Sequence, residues 1–176
     1  MSAISTVHIA AYSPQWPQVF AQLRGRLLRA FAGEAATVEH IGSTAVPGLS
    51  AKPVIDVLLG AASLAVIEAR IEALAAQGFE YIPKHERVLP QRRYFVARPP
   101  GGLRVHLHGV VEGEPLWRAH LDFRDALRSD AQLRARYLAL KRRLAAEHAD
   151  DKAAYTEAKG PFIREVLAML ETSSPP

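Results

Sequence analysis

Residues 40–59 constrain this chain more than any other stretch of it. The segment opens on Gly42-Ser43, runs through a turn-rich stretch containing Pro47, Gly48 and Pro53, and ends in an apolar, β-prone run interrupted only by Asp56. An apolar run of that length flanked by turn residues reads as a buried strand, here spanning residues 54–59. A carboxylate in such a strand loses hydration worth on the order of several kcal/mol unless something replaces it. Asp56 therefore demands a partner: a metal ion, Lys52 or an arginine. Gly42 lets backbone N–H groups approach an anion closely, and Ser43 adds a hydroxyl donor. Lys52 places a positive charge within reach of the same anion. The alternative role for Asp56 is structural, accepting backbone hydrogen bonds to anchor the loop. The Gly42-Ser43 turn and Asp56 belong at the same end of one sheet, and that pairing makes a candidate phosphate site.

The remaining pattern supplies layers for this strand. Ser13-Pro14 is a helix start, and Trp16, Phe20, Leu23, Leu27 and Phe31 recur at helical spacing, which predicts a helix over 14–32 ended by Gly33. Residues 37–41 read as a short strand. Leu64, Ile67, Ile71 and Leu74 give a second helix ended by Gly78. A strand over 79–82 follows, then a hairpin of 93–98 and 103–110 around Pro99-Pro100-Gly101-Gly102. A helix is expected over 115–128. Ser129, with Gln132 in capping-box spacing, opens the next, striped by Leu133, Tyr137, Leu140 and Leu144. The last helix spans 151–170, kinked or split at Gly160-Pro161, and 171–176 form a loose tail. The class is α/β (α+β): one domain over 1–170, with a mixed sheet flanked by helices and closed by a C-terminal helical layer.

Along 103–110 side chains alternate, so Arg104, His106 and His108 share one face. Two histidines two residues apart on a strand can bind one metal ion, with Asp56 completing a two-His, one-carboxylate set. The alternative is a pair of ordinary polar-face histidines. His40, Glu39 and Glu86 are lesser candidates. Between residues 84 and 104 sit Lys84, Arg87, Arg92, Arg93, Arg98 and Arg104 against Glu86 alone, either a solvated basic edge or a phosphate-facing wall in which Arg93 steadies the phosphate.

Gly-Ser followed after this spacing by an acidic residue in an apolar strand resembles the signature of the polymerase-beta-like nucleotidyltransferase superfamily. The longer string from His40 to Asp56 resembles the GrpB family more narrowly. Tyr12, Trp16, His106, His108, Phe123, Arg124, Arg128, Tyr137, Lys141, Tyr155 and Lys159 fall at positions similar to that family's, so the resemblance covers nearly the whole chain. It implies a nucleotidyltransferase-like fold and a link to nucleotides or coenzyme A, because GrpB-like domains also occur fused to dephospho-coenzyme A kinases. It also implies that Arg124, Arg128 and Lys159 hold the far end of a ligand, a task to which the guanidinium fork is suited.

Catalytic members of that superfamily carry Asp-x-Asp on this strand and a third carboxylate later, because two metal ions about 3.5–4 Å apart need bridging carboxylates. Here the second position is Leu58. Two readings stay open. One is metal-assisted nucleotidyl or phosphoryl transfer on a nucleotide or coenzyme A-related ligand, with Asp56, His106 and His108 as catalytic or metal-ligating groups. The other is a non-catalytic binding module of transferase ancestry. The metal would be Mg²⁺ or Mn²⁺, or a transition metal if both histidines ligate. Nucleic acid ranks last among partners, since a net charge of +4 is mild and only Tyr94 and Phe95 interleave the basic run. The chain has no Cys, no apolar run of the ~20 residues that cross a bilayer and no signal-peptide pattern at its start, so a cytoplasmic protein is expected.

Overall fold

The computed structural model describes residues 7–173. Helix α1 (Gln15–Ala30) leads into strand β1 (Ala36–Ile41), and a 3₁₀ turn (Ser43–Ala45) separates β1 from β2 (Val54–Ala61). Two short helices, α2 (Leu64–Glu68) and α3 (Ile71–Ala75), precede β3 (Phe79–Tyr81). The hairpin β4 (Arg93–Ala97) and β5 (Arg104–Val111) then leads into helices α4 (Pro115–Ser129), α5 (Ala131–Glu147), α6 (Lys152–Ala158) and α7 (Gly160–Ser173). The strands form one mixed sheet in the order β1-β2-β5-β4-β3. Only β2 and β5 run parallel, in a register that sets Asp56 beside His106 and Leu58 beside His108.

The two faces of the sheet are covered differently. Ile55, Val57, Leu59, Val105 and Leu107 point into the main core, where Leu23, Leu27 and Phe31 of α1 and its C-terminal end meet Ile67 of α2 and Leu74 of α3. On the other face α4 covers one end: Leu58, Ile41 and Val110 pack against Trp117. Gly60 makes this approach possible, because a Cβ there would lie 2.7 Å from the Trp117 ring. Beyond the reach of α4 the same face carries Asp56, His106 and His108. The C-terminal helices roof that end. Leu133, Tyr137 and Val166 clamp Val46 and Leu49 of the loop after β1. An isolated antiparallel bridge between Ala10 and Ala51 ties the loop down from the other side.

Most predicted elements form within one or two residues of their expected bounds, and the last helix does split at Gly160. Three expectations are corrected. The second helix is broken: Arg70 leaves helical geometry (φ −106°, ψ 5°), and its guanidinium reaches the Ala32 carbonyl and Glu34. Both halves still present Ile67 and Leu74 to the sheet, so apolar spacing alone cannot reveal the break. Ser129 does not open α5. It ends α4, its hydroxyl donating to the Asp125 and Ala126 carbonyls, while the Asp130 carboxylate caps α5 by accepting from the amides of Gln132 (2.8 Å) and Leu133 (3.0 Å). Helix α7 continues to Ser173, past the point where a loose tail is expected, and 174–176 lie outside the described residues.

Replacing Asp130 by Ala leaves two amides of α5 without their acceptor and should cost about 1 kcal/mol in urea unfolding, whereas Ser129→Ala should cost markedly less.

Candidate functional site

The site grows from the turn after β1. Gly42 adopts φ +71°, a conformation that side chains rarely tolerate, and a Cβ there would lie 2.6 Å from Asp56 Oδ2. The missing side chain is what allows the carboxylate to sit against the turn. Thr44 locks the turn to β2, its hydroxyl donating to the Val54 carbonyl at 3.0 Å. With that hydrogen committed, Thr44 Oγ1 accepts from His40 Nε2 at 3.0 Å, which fixes His40 as the neutral tautomer protonated on Nε2. His40 is buried and stacked on Phe20, and desolvation pulls its pKa down to about 4. It pairs in register with Val57 and so lies on the opposite face of the sheet from Asp56.

Asp56 Oδ1 lies 3.4 Å from His106 Nδ1 and 3.4 Å from His108 Nε2. Burial opposes its charge, but hydrogen bonding from both imidazoles holds the carboxyl well below the usual carboxylate range. Behind His108, Arg92 Nη1 approaches Nδ1 at 3.3 Å, and the Arg92 guanidinium lies 4.8 Å above the Tyr94 ring. His120 of α4 stands 5.5 Å from the His108 ring, with its pKa pushed down to about 3 chiefly by desolvation.

Asp56, His106, His108, Arg92 and Tyr94 line a cavity of about 410 Å³, with Ser43, Lys52, His85, Lys141, Tyr155 and Lys159 among its other walls. Lys52 and Lys159 both lie over the Tyr155 ring, their ammonium groups 5.5 and 4.6 Å from its centroid. Burial lowers the Lys52 pKa and, with help from Lys52, brings Lys159 to about 8. Lys141 is buried, donates to the Ser50 carbonyl at 2.6 Å and falls to about 7 by desolvation and the charge of Lys159. Four cationic side chains thus face one carboxylate, Asp56, in a partly dehydrated space. A larger cleft of about 770 Å³ between α4 and α7 lies away from this turn and these cations.

The structure brings together Gly42, Ser43, Lys52, Asp56, His106, His108 and Lys159 of the residues singled out from sequence. It does not bring in Arg93, Arg124 or Arg128. Arg93 pairs with Gly109 on the far face and is engaged by Glu68 at 2.6 Å. Arg124 is buried against Glu39 (2.6 Å) and the His40 carbonyl, and Arg128 donates to the Ala45 carbonyl at 2.9 Å, so both brace the turn from behind. Glu86 accepts from Tyr81 and pairs with Arg93, which removes it as a replacement acid, as Arg124 removes Glu39. Arg92, Lys141 and Tyr155 line the cavity without having been singled out for it. Arg92 belonged to the basic run, but alternation across the hairpin could not tell it from Arg93.

The expected metal sets do not fit these residues. Leu58 is fully buried among apolar groups where a second bridging carboxylate would stand. Among the described residues no group of three His, Asp or Glu side chains is disposed to hold a metal ion: Asp56, His106 and His108 meet in mutual contact, and Arg92, which only donates, faces the nitrogen of His108 that a ring ligating through Nε2 would need to protonate.

The mixed sheet with its flanking helices is a nucleotidyltransferase-like fold. A family profile described as GrpB protein matches residues 6–169, and the chain belongs to that family. A UPF0157 protein of Bacillus subtilis, YqkA, is 36% identical over 159 residues, covering 90% of this chain but only 45% of its own length. A dephospho-CoA kinase of Mycolicibacterium paratuberculosis is 30% identical over 186 residues, and 46% of its length is covered. The chain thus spans about half the length of these two relatives. Among solved structures, the conserved protein GrpB from Enterococcus faecalis superposes with a TM-score of 0.80 at 31% identity, covering 90% of this chain and 94% of that one. The Cid1 poly(U) polymerase, solved with Mg 3'-dATP bound, shares the fold at a TM-score of 0.56 and 14% identity, covering 85% of this chain and 49% of that one. Among the described residues no helix is long and apolar enough to cross a membrane.

Two outcomes follow from the turn. Gly42→Ala should cost about 1–3 kcal/mol, since it combines a positive φ with displacement of Asp56. His40 is held well below its ordinary value of 6.5, so the unfolded chain binds the extra proton first. Its contribution is complete above pH 6.5 and is lost as pH falls towards 4, with His120 adding in the same direction. His40 alone should account for a loss of about 3 kcal/mol across this window in urea unfolding, and His40→Gln, which keeps a donor for Thr44, should remove that share and leave the share of His120.

Proposed function

We infer that the cavity binds a phosphorylated small molecule of the nucleotide or coenzyme A class through its lysines and the Ser43 turn, without requiring a metal ion. One observation carries this reading. Lys52 and Lys159 both line the cavity, and among the described residues the only acid acting on either is Asp56, which His106 and His108 already hold. Cations gathered at the cost of dehydration need an anion to balance them. The ammonium groups, the Ser43 hydroxyl and the Arg92 guanidinium suit phosphate oxygens. The nucleotide class is supported by the fold shared with Cid1 and by the dephospho-CoA kinases among the relatives.

Group transfer is a second reading, favoured by the Asp56–His106–His108 cluster. A carboxylate that orients imidazoles is the arrangement general acid–base chemistry uses. No metal step is assigned, because the donor set does not fit one.

The test is a thermal-shift and calorimetric screen with ADP, coenzyme A and dephospho-coenzyme A, each with EDTA and with Mg²⁺. A probe at 100 times its Kd should add about 2.7 kcal/mol of stability. Binding should persist in EDTA and weaken on the order of tenfold in Lys52→Ala and in Lys159→Ala, the loss of one charge-assisted contact. Because Lys159 must be charged to hold an anion and titrates near 8, affinity should be greatest below that pH and fall as pH rises through it. Failure of all three probes to shift the protein, or binding indifferent to both lysines, would sink the reading.

A further inference from the structure

Three of the five lysines of the chain, Lys52, Lys141 and Lys159, line the cavity, and they are held differently. Lys141 is tied into the fold by its hydrogen bond to the Ser50 carbonyl at 2.6 Å. Lys52 and Lys159 share the Tyr155 ring but not their surroundings. Lys52 feels the positive charges of Lys152 and Arg104, exposed residues at the starts of α6 and β5, so cations gather around it from two further elements. Lys159 is the amine nearer the ring, 4.6 Å from its centroid, and among the described residues no hydrogen-bond acceptor or carboxylate holds it. The charges acting on it are those of Asp56 and Lys52, and Tyr155, raised to about 12 by burial, stays neutral beneath it. Lys159 is half-buried, and its Nζ keeps accessible surface. An amine desolvated against an aromatic face and placed beside a second cation is partly neutral, and a neutral amine is a nucleophile.

We propose that Lys159 is a carbonyl-reactive amine, and that the cavity captures a phosphorylated aldehyde or ketone as a Schiff base on its Nζ, with Lys52 and the Ser43 turn holding the phosphate. This rests on the phosphate-binding reading of the cavity and narrows its ligand class. The Nζ lone pair forms a bond to the carbonyl carbon while the C=O π pair moves onto oxygen, which takes one of the two amine protons. In the resulting carbinolamine the C–O bond breaks. The oxygen leaves with that pair and the second proton as water, and the nitrogen lone pair closes the C=N bond. Nothing is oxidised or reduced. The two lysines divide the work: Lys52, among further cations, stays charged for the phosphate, and Lys159, drawn down to about 8, supplies the neutral amine.

The test compares pyridoxal 5′-phosphate with 5′-deoxypyridoxal, which carries the same aldehyde without the phosphate, on the whole protein. The imine is reduced with borohydride and the label located by peptide mass spectrometry. Pyridoxal 5′-phosphate should label Lys159 in clear preference to the exposed Lys84 and Lys152. At equal concentration 5′-deoxypyridoxal should label it on the order of tenfold less, the loss of a charge-assisted contact, and ADP should protect it. The rate of imine formation, followed by absorbance, should rise as pH passes through about 8, opposite to the fall in ADP affinity. Lys159→Arg, which keeps the charge without a nucleophilic amine, should abolish the label without transferring it to Lys52. Label spread over all the lysines, preference for Lys52 or Lys141, or no label overturns the proposal from the wild-type protein alone. If ADP binds calorimetrically while no lysine is preferred, the Schiff-base assignment fails and phosphate binding stands. Equal labelling of Lys159 by both aldehydes, with no protection by ADP, overturns the substrate class together with the phosphate reading beneath it.

Discussion

The Asp56 carboxylate is the constraint around which the rest of the site is built. It stands on β2 between β1 and β5, met there by two imidazoles and a side-chain-free turn. Each support requires another part of the fold. The histidines reach it because β5 runs parallel to β2 in a register that brings His106 alongside. Gly42 reaches it because Thr44 ties the turn to Val54 and His40 ties Thr44 to β1. Arg124 and Arg128 then hold the turn against α4 through carbonyl oxygens at His40 and Ala45. Buried polar groups linked in this way have no low-energy alternative, since breaking one bond leaves its partner unsatisfied in a dry environment.

The two sides of the cavity differ in what they contribute. The sheet brings one negative charge, whose Oδ1 is met by both imidazoles. The loop and helical layer bring lysines whose charge is opposed by burial and by one another: Lys141 is lowered by Lys159, and Lys159 by Lys52. The tension lies almost wholly on the cationic side. An entering anion would relieve it there without disturbing the Asp56 cluster, so binding and any acid–base chemistry are separable by position as well as by residue type.

How much of this was legible in the sequence depended on whether local pattern or long-range register decided the matter. The Gly42-Ser43 turn, the buried strand with Asp56 and the shared face of His106 and His108 are local, and they were read from turn chemistry and alternation. Arg92 and Arg93 are adjacent, so which of them faces Asp56 hangs on the register of β4 against β5, where Arg93 pairs with Gly109 and Tyr94 with His108. Sequence spacing carries no such phase. Arg124 and Arg128 kept their pairing on one helix face, but the face packs on the turn and binds carbonyl oxygens, a distinction only the docking angle of α4 makes. Lys141 and Tyr155 fall at positions the family resemblance covers, but the sequence does not assign them to the cavity, for a different reason. They lie on helices far along the chain whose stripes look like ordinary core, and only the closing of the helical layer over the loop turns them towards the cavity.

Leu58 shows why the departure from a two-carboxylate strand is more than the loss of one ligand. Its side chain is fully buried with Ile41, Val110 and Trp117, and Gly60 two residues on is bare so that the indole can pack there. A carboxylate at position 58 would have to displace that packing or be buried among apolar groups, at a cost on the order of several kcal/mol. Its neighbour in register, His108, is already engaged by Asp56 and Arg92 and has no hydrogen to give it. The apolar contact with α4 and the hydrogen-bonded Asp–His cluster are therefore adjoining halves of one arrangement. α4 covers the strand up to Leu58, the imidazoles begin where that cover stops, and the chemistry available to this face is that of a carboxylate and its histidines rather than of a paired-carboxylate metal site.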